Sequence, residues 1–442
     1  MQSTESDGTG AEGPGTPGLQ RALGLWQLSL AGTGIILGAG IYALLAPAAA
    51  LAGNAVWASF LIAAAVAVVS GLSYAELSSM FPTAGAEYDY AGRALGEGIG
   101  VAIGWLVIAA TLISASAVAL GFAAYFRTFL PLPPVAVAVV LIGILSLLVA
   151  LGVRETAGAA VLLTLVEVGG LVTVIVAGLP RVGGVDLLEL SPAGTGGLLE
   201  AAALVFFAFI GFEQLVKLSE EAKDPGRTIP LALLISVAGS TLLYMLVAVA
   251  CISLLGWEGT SATDAPFAAA IGVAFGGAAA VLVSLTALTA TANTVLIEIL
   301  AASRILYGMA RSGAAPRVLG RVHARRRTPW IAVVVIAAVS AVLTVPGEIE
   351  FLASATNFLI FVTFIAVNLS VVLLRRAEPE ARRPFRVPVA IRGVPVLPLV
   401  GIATSLGLMS QLDPAVLLAG LAISGVAVVM AVQGGRRRRR DR

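Results

Sequence analysis

The sequence predicts an all-α integral membrane protein with about twelve transmembrane helices, and its composition and charge pattern carry this prediction. The chain is 59% apolar and 12% charged, whereas an ordinary soluble domain is about 25% charged. When the apolar segments are taken to alternate across a membrane, every Lys and Arg except Arg127 and Arg181 falls on one side. Basic residues stay cytoplasmic during insertion, so we expect both termini in the cytoplasm and the chain in the cell (plasma) membrane.

Each crossing of a bilayer needs about 20 apolar residues, and twelve segments come close to this length. They lie near 25–47, 55–81, 98–126, 134–151, 157–179, 198–218, 229–256, 267–303, 330–345, 351–374, 395–411 and 414–433. Residues 1–22 are predicted to be a disordered cytoplasmic tail, and residues 23–433 the transmembrane domain. The Arg-rich residues 434–442 are predicted to be a cytoplasmic tail that contacts anionic lipid rather than nucleic acid.

The first apolar segment contains glycines that weaken a helix. Gly32, Gly34, Gly38 and Gly40 fall close together, and each costs a helix about 1 kcal/mol relative to Ala. The pattern is similar to a dinucleotide-binding turn, but such a turn must follow a strand and needs an acidic partner further along the chain. Neither is present, so the glycines either break the helix or allow close helix packing.

The sixth segment has a matching feature at Gly211, shortly before Glu213. Paired interruptions in corresponding helices indicate a transporter site between inverted repeats. We therefore predict a LeuT-type five-plus-five inverted repeat with helices 1 and 6 broken. The first repeat covers residues of about 23–180 and the second about 197–374, and two extra helices follow at about 395–433.

Four segments carry motifs in a fixed order along the chain. They are Gly34–Tyr42, Ser73–Tyr88, Phe206–Pro230 and Ser303–Pro329. Together they resemble the motifs of amino acid permeases of the amino acid–polyamine–organocation (APC) superfamily, and the resemblance runs through nearly the whole chain. It implies the broken-helix fold and the transport of amino acids by alternating access.

The resemblance also implies a substrate site at the two interruptions. A broken helix exposes N–H groups at one end and C=O groups at the other, and the helix dipole favours opposite charges there. The predicted substrate-binding residues are Ile36, Gly38, Ala39, Gly40, Phe207, Ala208, Ile210 and Gly211. The substrate carboxylate is expected at the N–H groups of residues 38–40. Its ammonium is expected at the carbonyls of Ile36, Phe207 and Ile210, with Phe207 either gating the site or only packing in the core.

Three carboxylates inside the predicted spans are candidates for coupling or gating: Glu167, Glu213 and Glu298. Charge at membrane depth is costly and usually functional, and a buried carboxyl can bind and release a proton near neutral pH. Glu167 stands where many proton-coupled relatives carry a lysine, so Glu167 is our candidate for the protonatable group. Glu213 follows the sixth-segment interruption, where some exchangers have an acidic residue that senses pH; alternatively, it stabilises the unwound segment. Glu298 is less typical of the family.

Other acidic residues near the cytoplasmic ends are expected to form salt bridges that hold an inner gate closed, or else only solvated pairs. They are Glu76, Glu87, Glu220 and Glu221, with Lys223, Arg227 or Arg304 as partners. A sodium site would need hydroxyls on the eighth span, and Thr286, Thr289 and Thr291 are available there.

The predicted function is proton-coupled uptake of small or apolar neutral amino acids, because the pocket walls offer Ala, Val, Ile and Phe. An amino acid exchanger, a polyamine or organocation transporter, a sodium-coupled symporter and a transporter-like sensor remain alternatives. For an organocation, Glu213 or Glu298 would supply the acidic group. The expected partners are the amino acid, protons and the lipid bilayer. No cofactor or metal is predicted, and the single His323 and Cys251 offer no enzyme constellation.

Overall fold

Helices make up most of the described chain in this computed structural model. The structure describes residues 23–81, 86–152, 157–216, 218–219 and 222–441, with the backbone alone for 157–161 and 436–441. The predicted cytoplasmic tail at 1–22 and the predicted gate residues Glu220 and Glu221 lie outside these ranges. The all-helical class predicted from composition is confirmed.

The helices of the described residues are numbered in chain order. They are α1 Leu25–Ile36, α2 Gly40–Ala52, α3 Val56–Met80, α4 Ala86–Leu95, α5 Glu97–Phe126, α6 Pro134–Leu151, α7 Ala157–Gly178, α8 Gly194–Val205, α9 Phe212–Val216, α10 Pro225–Ser261, α11 Pro266–Phe275, α12 Gly277–Arg311, α13 Trp330–Leu343, α14 Ile349–Ala377, α15 Val396–Met409 and α16 Pro414–Asp441. A short antiparallel hairpin, β1 Ala390–Ile391 and β2 Val394–Pro395, precedes α15.

Nine helical segments of the described chain are long and apolar enough to cross a membrane, and four shorter apolar helices accompany them. The segment predicted at 267–303 is divided into α11 and α12, because Gly276 takes a positive φ of 86° between them. Helix α10 bends at Gly256, where φ is 68°. Helix α16 continues through the residues that were predicted to be a basic tail.

The two predicted interruptions lie side by side in the structure. Helix α1 ends at Ile36 and α2 begins at Gly40. Helix α8 gives way to a 3₁₀ turn at Phe206–Phe209, and Gly211 has φ 122° before α9 begins. A Cβ on Gly40 would lie 2.5 Å from the Cα of Ala208, so only glycine allows this approach of the two backbones.

One tyrosine of α10 lies within hydrogen-bond distance of the backbone at both interruptions. The buried Tyr244 hydroxyl lies 2.6 Å from the carbonyl oxygen of Ile36 and 3.0 Å from that of Ala208. These carbonyls come from the ends of two different broken helices, where the intrahelical donors are missing. The tyrosine has one proton, which it donates to one carbonyl or shares between the two, and it thus supplies a donor that an apolar environment could not.

A buried ion cluster holds the ends of α3 and α14 together. Glu76 pairs with Arg375, and their side chains are 1% and 3% exposed. The Arg383 Nε lies 3.4 Å from Glu76 Oε1, and the backbone N–H of Val387 donates to Glu76 Oε2 at 2.7 Å. The prediction that Glu76 pairs with Lys223, Arg227 or Arg304 is wrong, because the segment after α14 folds back over the end of α3.

Candidate functional site

A cavity of about 200 Å³ lies at the centre of the bundle, beside both helix interruptions. It is lined by Gly34, Ile35, Gly38, Tyr74, Glu87, Val107, Ala110, Thr111, Ser114, Glu167, Ile210, Gly211, Glu213, Gln214, Asn293, Thr294, Ile297, Glu298, Ala301, Thr356, Ile360 and Thr363. These residues come from α1, α3, α4, α5, α7, α9, α12, α14 and the two interruptions. The site is therefore assembled from both halves of the chain.

The cavity extends from the interruptions to α4, and its described lining does not extend in the opposite direction. On α1 its lining stops at Gly38, and on the sixth segment it begins only at Ile210. Beyond the interruptions, the Tyr42 ring meets the rings of Tyr125 at 6.0 Å and Phe267 at 5.3 Å between centroids. All three side chains are fully buried. The cavity therefore reaches α4 at Glu87, and packed aromatic rings lie on the other side of the interruptions.

Three of the predicted substrate-binding residues line the cavity: Gly38, Ile210 and Gly211. The other five, Ile36, Ala39, Gly40, Phe207 and Ala208, lie next to it in the interruptions. Their backbone groups are partly engaged already. The Ala39 N–H donates to the Thr294 hydroxyl at 3.2 Å, and Tyr244 occupies one lone pair of the Ile36 carbonyl.

All three predicted coupling carboxylates line the same cavity, and Glu87 joins them. Sequence reasoning placed Glu87 at a gate and missed its proximity to the other three, since the packing of α4 under the bundle has no signature in the sequence. The described residues of the lining contain no Lys, Arg or His. The cavity is accordingly acidic, which the expectation of walls made of Ala, Val, Ile and Phe did not anticipate.

The three coupling candidates differ in their hydrogen bonds. Glu213 binds back to the interruption, because its Oε2 accepts the Gly211 N–H at 2.9 Å. Glu167 is 5% exposed, and its Oε1 is buried without a hydrogen-bond partner. Glu298 accepts a hydrogen bond from Ser114 with Oε1, while its Oε2 is likewise buried without a partner. Glu167 and Glu298 therefore each keep one open acceptor atom.

The hydroxyl that reaches the interruption from α12 belongs to Thr294. The three threonines predicted for a sodium site donate to carbonyls of their own helix: Thr286 to Val283, Thr289 to Leu285 and Thr291 to Ala287. None of these three threonines is among the described residues that line the cavity. Helix register between α12 and α1, which decides this, cannot be read from composition.

Comparisons with known proteins identify the family of the chain. A family model described as amino acid permease matches residues 23–423. The chain is 30% identical over 419 residues to a branched-chain amino acid permease of Bacillus subtilis, covering 90% of this chain and 89% of the relative. It is 33% identical over 393 residues to the mitochondrial cationic amino acid transporter 3 of Arabidopsis thaliana, covering 83% and 64%. A methylthioribose transporter of Bacillus subtilis is 28% identical over 418 residues, covering 89% of both chains.

Proposed function

The chain belongs to the amino acid permease family, and from this premise we propose that it is a secondary active amino acid transporter that works by alternating access. It is a transporter and not an enzyme. The observation that carries the proposal is the cavity at two facing helix interruptions, which reaches α4 on one side and has packed aromatic rings at Tyr42 on the other. Such a cavity gives one side of a membrane access to a site near the middle of the bundle.

The proposed topology has twelve spans in the plasma membrane, with α1 and α2 forming one span and α8 and α9 another. Spans one to five and six to ten form the two inverted repeats, and α15 and α16 follow. The matching positions of the two interruptions support this division. With basic residues inside, α4 lies on the cytoplasmic side, so the structure corresponds to an inward-facing state.

The backbone of the substrate is proposed to bind at the interruptions. The N–H groups at the start of α2 lack acceptors within the helix, and the partial positive charge there favours the substrate carboxylate. The carbonyl of Ile210, in the extended backbone before Gly211, is the proposed partner of the α-ammonium. Because Gly38 has no side chain, the ligand can approach this backbone closely.

Proton coupling is proposed to depend on Glu167. Its side chain is buried and lines the cavity at the interruptions, and one carboxyl oxygen lacks a partner. The carbonyl oxygen of the same residue accepts a hydrogen bond from Tyr42 at 3.3 Å, which links it to the closed end of the cavity. A change of charge on Glu167 can therefore influence both the site and the closure above it.

Reconstitution tests the proposal. The purified full chain is placed in sodium-free liposomes with the outside acidic, the membrane potential clamped, and labelled neutral and cationic amino acids supplied separately. Accumulation that a protonophore abolishes is the expected result. Exchange without net accumulation would contradict proton coupling but retain amino acid transport, and no movement of any amino acid would contradict the proposed function itself.

A further inference from the structure

The cavity continues along α12 for a full helical turn beyond the interruption. A Cβ on Gly38 would lie 2.9 Å from Thr294 Oγ1, so Thr294 marks the level of the interruption on α12. Glu298 follows four residues later and also lines the cavity. Residues four apart share one face of a helix and differ by about 6 Å along its axis. Glu298 is therefore displaced from the backbone-binding site by about that distance.

Apolar side chains line the cavity next to Glu298. Ile297 precedes Glu298 in α12 and Ala301 follows it, and Val107 and Ala110 of α5 line the cavity beyond Ser114, the α5 residue that contacts Glu298. Methylene groups suit such walls, since removing apolar surface from water is favourable. A chain of four methylenes ending in an amine spans about 6 Å in staggered conformations, which matches the displacement of Glu298.

One carboxylate oxygen of Glu298 is held by a hydrogen bond, and the other is open. The Ser114 hydroxyl of α5 donates to Glu298 Oε1, which fixes the carboxylate across the helix interface. Glu298 Oε2 is buried and makes no hydrogen bond. A buried carboxylate with an unsatisfied oxygen is costly unless a donor or a cation reaches it. Glu298 lines the cavity, so a donor in the cavity can reach this oxygen.

The surroundings of Glu298 increase the need for a cation. Along the described part of the lining there is no basic side chain, and the 95% buried Glu167 faces the same space with an open Oε1. The side-chain oxygen of Asn293 is a third buried acceptor without a partner. An ammonium group has three donors and no acceptor, so it matches this set of open acceptors.

We propose that Glu298, held by Ser114, binds the side-chain ammonium of a diamino acid whose α-amino and carboxyl groups sit at the helix interruptions. This inference rests on the proposed function and names its substrate class. A guanidinium forms its best contacts with both oxygens of a carboxylate, whereas Glu298 offers one open oxygen. The subsite is therefore selective for an amine on three or four methylenes, as in ornithine and lysine.

Equilibrium binding to the purified full chain in nanodiscs tests the subsite. Lysine and ornithine are compared with norleucine and norvaline, which keep the carbon chain and lack the amine. The wild type is expected to bind each diamino acid at least tenfold more tightly than its neutral counterpart. Glu298→Gln is expected to remove this preference, because the variant loses a charge-assisted hydrogen bond to the amine. Norleucine has no such amine, so its affinity is expected to change by less than about twofold.

Two further variants complete the experiment. Glu258→Gln changes an exposed carboxylate at the far end of α10 and is expected to leave both affinities unchanged. Ser114→Ala frees the carboxylate and is expected to weaken lysine binding without affecting norleucine, which gives a second reading if Glu298→Gln does not fold.

The outcomes separate this inference from the proposed function. Norleucine binding as tight as lysine in the wild type overturns the subsite, and so does a lysine preference that survives in Glu298→Gln. In both cases amino acid binding, and with it the proposed function, remains. If neither the neutral nor the cationic amino acids bind, the proposed function fails and the subsite fails with it.

Discussion

Two groups of buried carboxylates in the same helical bundle differ in what neutralises them. Glu76 meets the guanidinium groups of Arg375 and Arg383 and also accepts a backbone N–H. Glu167 and Glu298, in the cavity, each keep one oxygen without a hydrogen-bond partner. No basic side chain lines that cavity in the ranges that the structure covers.

The difference indicates two uses of a buried charge. A buried ion pair tolerates the loss of water only when its geometry is good and its carboxylate oxygens are satisfied, and both oxygens of Glu76 accept hydrogen bonds in the cluster. A carboxylate without a resident cation is stabilised only when a proton or a cationic ligand arrives. The first arrangement holds helices together, and the second suits a site that must bind and release.

The largest expected effect comes from breaking the paired group. Arg375→Gln leaves the Glu76 charge buried without its main partner, so we expect the free energy of unfolding to fall by about 3–5 kcal/mol. Thermal unfolding in detergent measures this change. Arg386→Gln, an exposed change in the same segment, is the control and should have little effect. Replacing Glu76 and Arg375 together by Met should restore most of the stability; failure to do so would mean that the pair does more than cancel its own charges.

Next in size is the effect of Glu167→Gln on transport. The variant keeps the shape of the side chain and cannot exchange a proton, so accumulation driven by an acidic outside should fall at least tenfold. Exchange of labelled for unlabelled substrate should continue. Liposome uptake with and without a pH gradient measures both quantities. Full proton dependence in the variant would exclude Glu167 as the coupling group.

This contrast also shows what the sequence could predict. The cost of charge in a membrane identified Glu167, Glu213 and Glu298, and glycine spacing located both interruptions. The partner of Glu76 could not be found in this way, because Arg375 is 299 residues further along the chain. Helix periodicity likewise does not reveal that Thr294, rather than Thr286 or Thr291, faces the interruption. These features depend on register between helices, which packing of the whole bundle decides.

Glu213 is intermediate between the two groups, because its Oε2 accepts the Gly211 N–H. Glu213→Ala removes this acceptor, and a lost hydrogen bond of this kind costs about 1–3 kcal/mol; we expect a transport rate about tenfold lower. Glu213→Gln keeps a carbonyl oxygen in place and should restore most of the rate. Initial uptake rates at matched protein levels measure both variants. Equal losses in the two would indicate that the charge of Glu213, rather than its hydrogen bond, is required.

The smallest expected effect on stability is that of Glu298→Gln. This variant gives the sharpest test of the difference between the paired Glu76 and the carboxylates of the cavity. The glutamine carbonyl can still accept a hydrogen bond from Ser114, and the substitution removes a buried charge that no described basic residue of the lining neutralises. We therefore expect the free energy of unfolding without substrate to stay within about 1 kcal/mol of the wild type or to increase. Lysine should raise the unfolding temperature of the wild type and not that of the variant, since ligand binding stabilises only a protein that binds it. A loss of stability as large as that of Arg375→Gln would place Glu298 among the structural charges and remove the distinction between the two groups.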